Sequence, residues 1–67
     1  MRDANKLLDD IRRESDRLRQ LYEESKRYID KSEPKEALHN LNLGKDTLKQ
    51  LEQRWEELRI MMERTPS

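Results

Sequence analysis

Apolar and small side chains recur along this chain at alternating intervals of four and three residues. Ala4, Leu8, Ile11, Ser15, Leu18, Tyr22, Ser25, Ile29 and Ser32 follow that rhythm. Ala37, Leu41, Gly44, Leu48, Leu51, Trp55, Leu58, Met62 and Thr65 repeat it. A mean spacing of about 3.5 residues is the seam of a helical coiled coil. No stretch alternates apolar and polar residues over a useful length, as a strand would. Continuing the first rhythm past Ser32 would put Glu36, His39, Leu43, Asp46 and Gln50 on the seam, and all but Leu43 are polar. The second rhythm starts afresh at Ala37, with Glu33-Pro34 in the gap. Proline lacks a backbone donor and clashes inside a helix, but it suits a helix's first turn. The pattern predicts helices over about 3–31 and about 34–64, a turn at about 32–34 and a frayed tail at 65–67. Ser32 or Glu33 is the expected N-cap of the second helix, with Glu36 well placed near its positive end. Each helix would be roughly 45 Å long.

Folding the chain about position 33 pairs each seam residue with another. The layers become Ala4–Met62, Leu8–Leu58, Ile11–Trp55, Ser15–Leu51, Leu18–Leu48, Tyr22–Gly44, Ser25–Leu41 and Ile29–Ala37. Large and small volumes alternate across them, as core packing requires. On this reading Gly44 admits the Tyr22 ring and Trp55 is a core residue opposite Ile11. One flank of the seam, Asn5–Arg59, Arg12–Glu52, Arg19–Lys45 and Lys26–Leu38, is mostly charged. The other pairs Leu7–Met61, Glu14–Arg54, Leu21–Thr47 and Tyr28–Asn40, with Leu43 beside it. Leu7, Leu21, Tyr28, Leu43 and Met61 then form an apolar stripe, with Glu14 and Arg54 pairing across it to set register. Two helices alone would leave that stripe uncovered, and contiguous apolar patches mark interfaces. The expected fold is all-α: an antiparallel two-helix hairpin of coiled-coil type that doubles into a four-helix bundle. The expected partner is a second copy of the chain or a helix of another protein.

Composition narrows the classes. The 67 residues include 15 Lys or Arg and 15 Asp or Glu, with no cysteine. That length suits one domain. No disulfide, thiol chemistry or Cys-based zinc site is available. No run approaches the roughly 18 apolar residues of a membrane span. The first residues have no apolar signal core behind them, so a cytoplasmic location is the expectation. The formal net charge is zero, which provides no long-range field to attract nucleic acid or an acidic membrane surface. Arg12, Arg13, Arg17 and Arg19 cluster, but Glu14 and Asp16 interleave with them, as on a solvated face. Asp9–Arg13 and Glu23–Arg27 have the spacing and order of helix-stabilising ion pairs.

Candidate chemistry is sparse. Glu36-Ala37-Leu38-His39 has the Glu-x-x-His spacing of di-iron bundles, but those use two copies and further glutamates aimed into the core. Here both side chains belong to an outer helix face, so neither metal nor cofactor is expected. His39 is the only histidine. Asp9-Asp10 and Glu23-Glu24 are sequence neighbours that point about 100° apart on a helix, so they form no acid–base dyad. No Gly-rich phosphate loop is present. A two-helix hairpin offers no concave pocket. Neither enzymatic activity nor a small-molecule substrate is therefore expected.

Leu48, Leu51, Arg54-Trp55 and Leu58, in LKQLEQRWEELR, resemble the start of the last helix of a spectrin-type repeat. The resemblance covers about a dozen residues. Such repeats have three long helices, and this chain has length for two; it implies a partial repeat completed by a helix from elsewhere. Taken together, the residues point to a protein–protein interaction module. The alternative is an engineered or excised bundle with a purely structural role, and a nucleic-acid or membrane adaptor is disfavoured by the charge balance.

Overall fold

A computed structural model describes residues 2–66 as two α-helices, α1 (Arg2–Asp30) and α2 (Pro34–Arg64). They pack on each other as an antiparallel hairpin, a rod with Cα extents of 53 × 14 × 13 Å. No strand occurs among the described residues. Thr65 and Pro66 lie beyond α2, and Ser67, the end of the expected tail, falls outside the described residues.

The connection is a tight helix stop followed at once by a helix start. Ser32 adopts a left-handed backbone, with φ of 58°. Its N–H donates to the Ile29 carbonyl at 3.0 Å, and the Glu33 N–H donates to the Tyr28 carbonyl at 2.8 Å. This pair of bonds is a Schellman motif, which satisfies carbonyls that the end of α1 would otherwise leave unpaired. Glu33 is the N-cap of α2, and its side chain makes no capping bond. Its carbonyl accepts the Ala37 N–H at 3.1 Å, and Pro34 occupies the first turn. Turn chemistry thus comes almost entirely from the backbone, with serine at the position that glycine usually fills.

The seam differs from the expected one by a rotation of each helix. On α1 the buried and half-buried positions include Ala4, Leu7, Ile11, Glu14, Leu18, Leu21, Ser25 and Tyr28. On α2 they include Ala37, Asn40, Gly44, Thr47, Leu51, Arg54, Leu58 and Met61. The spacing is again three and four. Leu8, Ser15, Tyr22 and Ile29 of the expected seam are instead exposed, as are Leu41, Leu48, Trp55 and Met62. Tyr22 is 63% exposed and Trp55 58%, so neither is the core residue that the volume pattern suggested. Gly44 is not held open by an aromatic ring: a methyl group added there would meet only Leu18 Cδ1, at an ordinary 3.7 Å.

The cause lies in the arrangement of columns. Each helix carries three adjacent stripes with a seven-residue period, and a single neighbouring helix covers two of them. The central stripes, Ala4–Ile11–Leu18–Ser25 and Ala37–Gly44–Leu51–Leu58, are interior on either choice. Whether α2 lies to one side of α1 or the other decides the second stripe. The heptad pattern by itself does not make that choice. Register along the axis is nearly as expected. The contacts Leu18–Gly44, Glu24–Asn40 and Glu14–Arg54 join residues whose numbers add to 62, 64 and 68, close to the expected 66.

The chosen side is the more polar one, and its Glu14, Asn40, Thr47 and Arg54 side chains each make a hydrogen bond. Arg54 Nε donates to Glu14 Oε1 at 3.3 Å across the seam. Asn40 Nδ2 donates to Glu24 Oε2 at 3.0 Å, and Thr47 Oγ1 donates to the Leu43 carbonyl one turn back. Around these sits a thin apolar core of Ala4, Ile11, Leu51 and Leu58, flanked by Leu7, Leu18 and Met61. On the hairpin surface Arg13 pairs with Asp10 rather than with Asp9.

Two measurements follow. Ser32→Gly relieves a left-handed serine, worth about 1 kcal/mol, and should raise the melting temperature by roughly 4–8 °C. A fall would mean that residue 32 is not left-handed. Arg54→Leu leaves Glu14, whose Oε2 already lacks a partner, without its cation in the seam. It should destabilise by about 2 kcal/mol, less than a fully buried pair because both groups retain solvent contact. The double variant Glu14→Leu/Arg54→Leu should recover to wild-type stability or above. Additive losses in denaturant melts would contradict the pairing.

Candidate interaction face

The exposed stripes of the two helices fall on one side of the rod. On that side the hairpin forms an open groove of about 750 Å³ along its turn-proximal half. Its floor includes Leu18, Ser25 and Gly44, and its walls include Tyr22, Ile29, Leu41 and Leu48. Small floor residues produce the hollow: Gly44 has no side chain and Ser25 a short one. Towards the chain termini the same face continues as a second depression bordered by Trp55, Leu58 and Met62. Leu8 belongs to the same α1 stripe as Tyr22 and Ile29, and Leu38 is likewise exposed near the turn. The opposite side of the rod is polar, with a small cleft lined by Glu24, Arg27, Tyr28 and Lys31. The hairpin as a whole is therefore amphipathic. The expectation that two helices present no concavity is corrected here, because the hollow arises where the central stripes carry the small residues Ser25 and Gly44.

Charge is distributed unevenly around this face. Arg19, Lys26 and Lys45 line the groove near the turn, with no carboxylate among its lining residues. None of the three forms an ion pair among the described residues. At the other end Glu52, Glu56 and Glu63 border the Trp55 depression together with Arg59. Arg59 is engaged locally: Nε and Nη2 donate to the Glu56 carboxylate at 3.2 and 2.6 Å, and Nη1 donates to Glu63. The hydrogen bond from Arg59 holds the Glu56 carboxyl below its ordinary range, and the same bond raises the guanidinium. Both groups stand in solvent, so these shifts contribute little to stability.

The residues that the sequence pointed to as a partner interface lie elsewhere. Leu21 is buried in the intramolecular seam at 8% exposure, and Leu7, Tyr28 and Met61 are half-buried along it. Glu14 and Arg54 do pair, inside the hairpin rather than between molecules. Leu43 is half-buried. The structure brings this set together as the contact between α1 and α2. The residues that face outwards in their place, Tyr22, Ile29, Leu41, Leu48, Trp55 and Met62, were in the sequence pattern all along as half of the expected core.

Other candidate chemistry remains dispersed. Glu36 and His39 are both exposed on α2, and among the described residues no group of three acidic or histidine side chains is placed to hold a metal ion. No described helix is long and apolar enough to cross a membrane. Compared with protein-family models, curated proteins and solved structures, this chain matches none.

Proposed function

We propose that this chain is a protein–protein association module whose open apolar face takes helices of another molecule. One observation carries the reading. The hairpin encloses the more polar of its two possible second stripes and leaves Tyr22, Ile29, Leu41, Leu48, Trp55 and Met62 in water. Scattered apolar residues are ordinary on a protein surface. A stripe that repeats every seven residues on both helices, along one face, has the spacing that an incoming helix reads. The hollow at Gly44 and Ser25 is shaped for side chains entering from outside, as knobs enter holes in a bundle. An enclosed ligand site would bury a small molecule on most sides, whereas this groove is open along its length.

The core supports the same reading. Its buried apolar members, Ala4, Ile11, Leu21, Ala37, Leu51 and Leu58, include two alanines and no aromatic ring. Two-helix hairpins have little interior of their own, and small domains of this kind gain much of their stability on association. The contact energy would come from Trp55, Tyr22, Leu41 and Leu48, with aromatic side chains as anchors.

The test is a triple variant, Leu41→Glu/Leu48→Glu/Trp55→Glu. These side chains are exposed in the hairpin, so the variant should keep its helical circular dichroism. Used as bait beside the wild-type chain, it should lose at least about tenfold of what the wild type retains, the loss expected when central anchors are charged. Retention of the same proteins in the same amounts would overturn the reading.

A further inference from the structure

We propose that the occupant of the open face is a second copy of this chain, laid on it end for end about a two-fold axis near Leu48, so that two hairpins complete a four-helix bundle. This rests on the association reading above and adds the partner and its orientation. The available area fits. The rod is 53 Å long and 14 Å wide, a projected face of roughly 740 Å², against about 800 Å² per partner in a stable interface.

Charge selects the orientation. The groove half near the turn is rimmed by Arg19, Lys26 and Lys45. The terminal half carries Glu52, Glu56 and Glu63 around an Arg59 already engaged by two of them. Stacked turn on turn, two copies would set three cations against three cations. Reversed, α2 of each copy lies over α2 of the other, so Lys45 meets the acidic half of the second α2, twice over by symmetry, while Arg19 and Lys26 of α1 no longer face Lys45.

Spacing sets the register. Reversal about Leu48 brings Leu41 level with Trp55 of the second copy, and sets Lys45 within one residue of Glu52 of the second copy. A stripe with a seven-residue period maps onto itself under that operation. The Trp55 ring then arrives near the stretch of groove floored by Gly44, where α2 supplies no side chain and Leu18 of α1 forms the rest of the floor. α1 then lies over α1 of the second copy, where the Arg12 and Arg19 edge faces the same edge, each arginine with a carboxylate one helical turn on, Asp16 and Glu23. The specific attraction therefore comes from the α2 edges. Lys45 and Glu52 lie two helical turns apart within one chain, too far to pair there.

The test uses the full chain and charge reversal. Light scattering on a sizing column, from about 10 µM to about 500 µM, should show a mass rising from monomer to dimer, as mass action requires. Lys45→Glu and Glu52→Lys should each weaken the dimer about tenfold, since each leaves two like-charged contacts. The double variant Lys45→Glu/Glu52→Lys should restore it to within about threefold, because the pairs reform with signs exchanged. A turn-on-turn dimer would instead be tightened by Lys45→Glu, which would face Arg19, and that result overturns the proposal. A chain that stays monomeric throughout also overturns it. If retention on the bait still depends on Leu41, Leu48 and Trp55, that monomer leaves the broader association reading standing. If retention does not, both fail.

Discussion

A helix can turn only so much of its surface towards one neighbour, and that limit governs everything else in this molecule. Each helix carries an apolar arc three stripes wide, and a hairpin encloses two stripes. One stripe per helix is necessarily left over. The hairpin, closed at Lys31–Glu33 by two backbone hydrogen bonds around a left-handed Ser32, leaves out Leu8, Tyr22 and Ile29 on α1 and Leu41, Leu48, Trp55 and Met62 on α2. Because both remaining stripes sit on the same side of the rod, the consequence is a single continuous face instead of two separate apolar lines.

The polar character of the enclosed stripe is what makes the exposed face informative. Glu14, Arg54, Asn40 and Thr47 sit in a seam where larger apolar residues were available in the same helices. Burying a charged pair in this way contributes little net stability, because desolvation offsets most of the attraction. It does fix register, since Glu14 has its cation only when the helices are correctly aligned. Small residues alongside, Ala37, Gly44 and Ser25, let the helices approach closely and open the hollow on the outer side. Register is thus set inside by polar pairs, while the larger apolar side chains remain outside in solvent.

The same division explains the uneven charge. The chain is neutral overall, and most charged side chains are spread around the polar side of each helix. Beside the groove the balance fails locally: three cations near the turn have no ion-pair partner among the described residues, while acidic groups gather near the termini. In the proposed dimer, that separation orients the second copy.

Much of this architecture was legible in the residues themselves. The heptad rhythm, its break at Glu33-Pro34 and the axial register depend on local spacing, helix propensity and the reversal of direction that a short turn imposes. The Glu14–Arg54 pair could also be read, since it needs only register and proximity. The side on which α2 settles could not be read. Both sides present an apolar stripe at the same spacing and nearly the same register, so Trp55 and Tyr22 read as core while Leu21 and Tyr28 read as surface. The handedness of the hairpin rests on the backbone conformation at Ser32 and on which polar groups find partners across the seam. Those are properties of the two helices in contact, and neither helix encodes them alone.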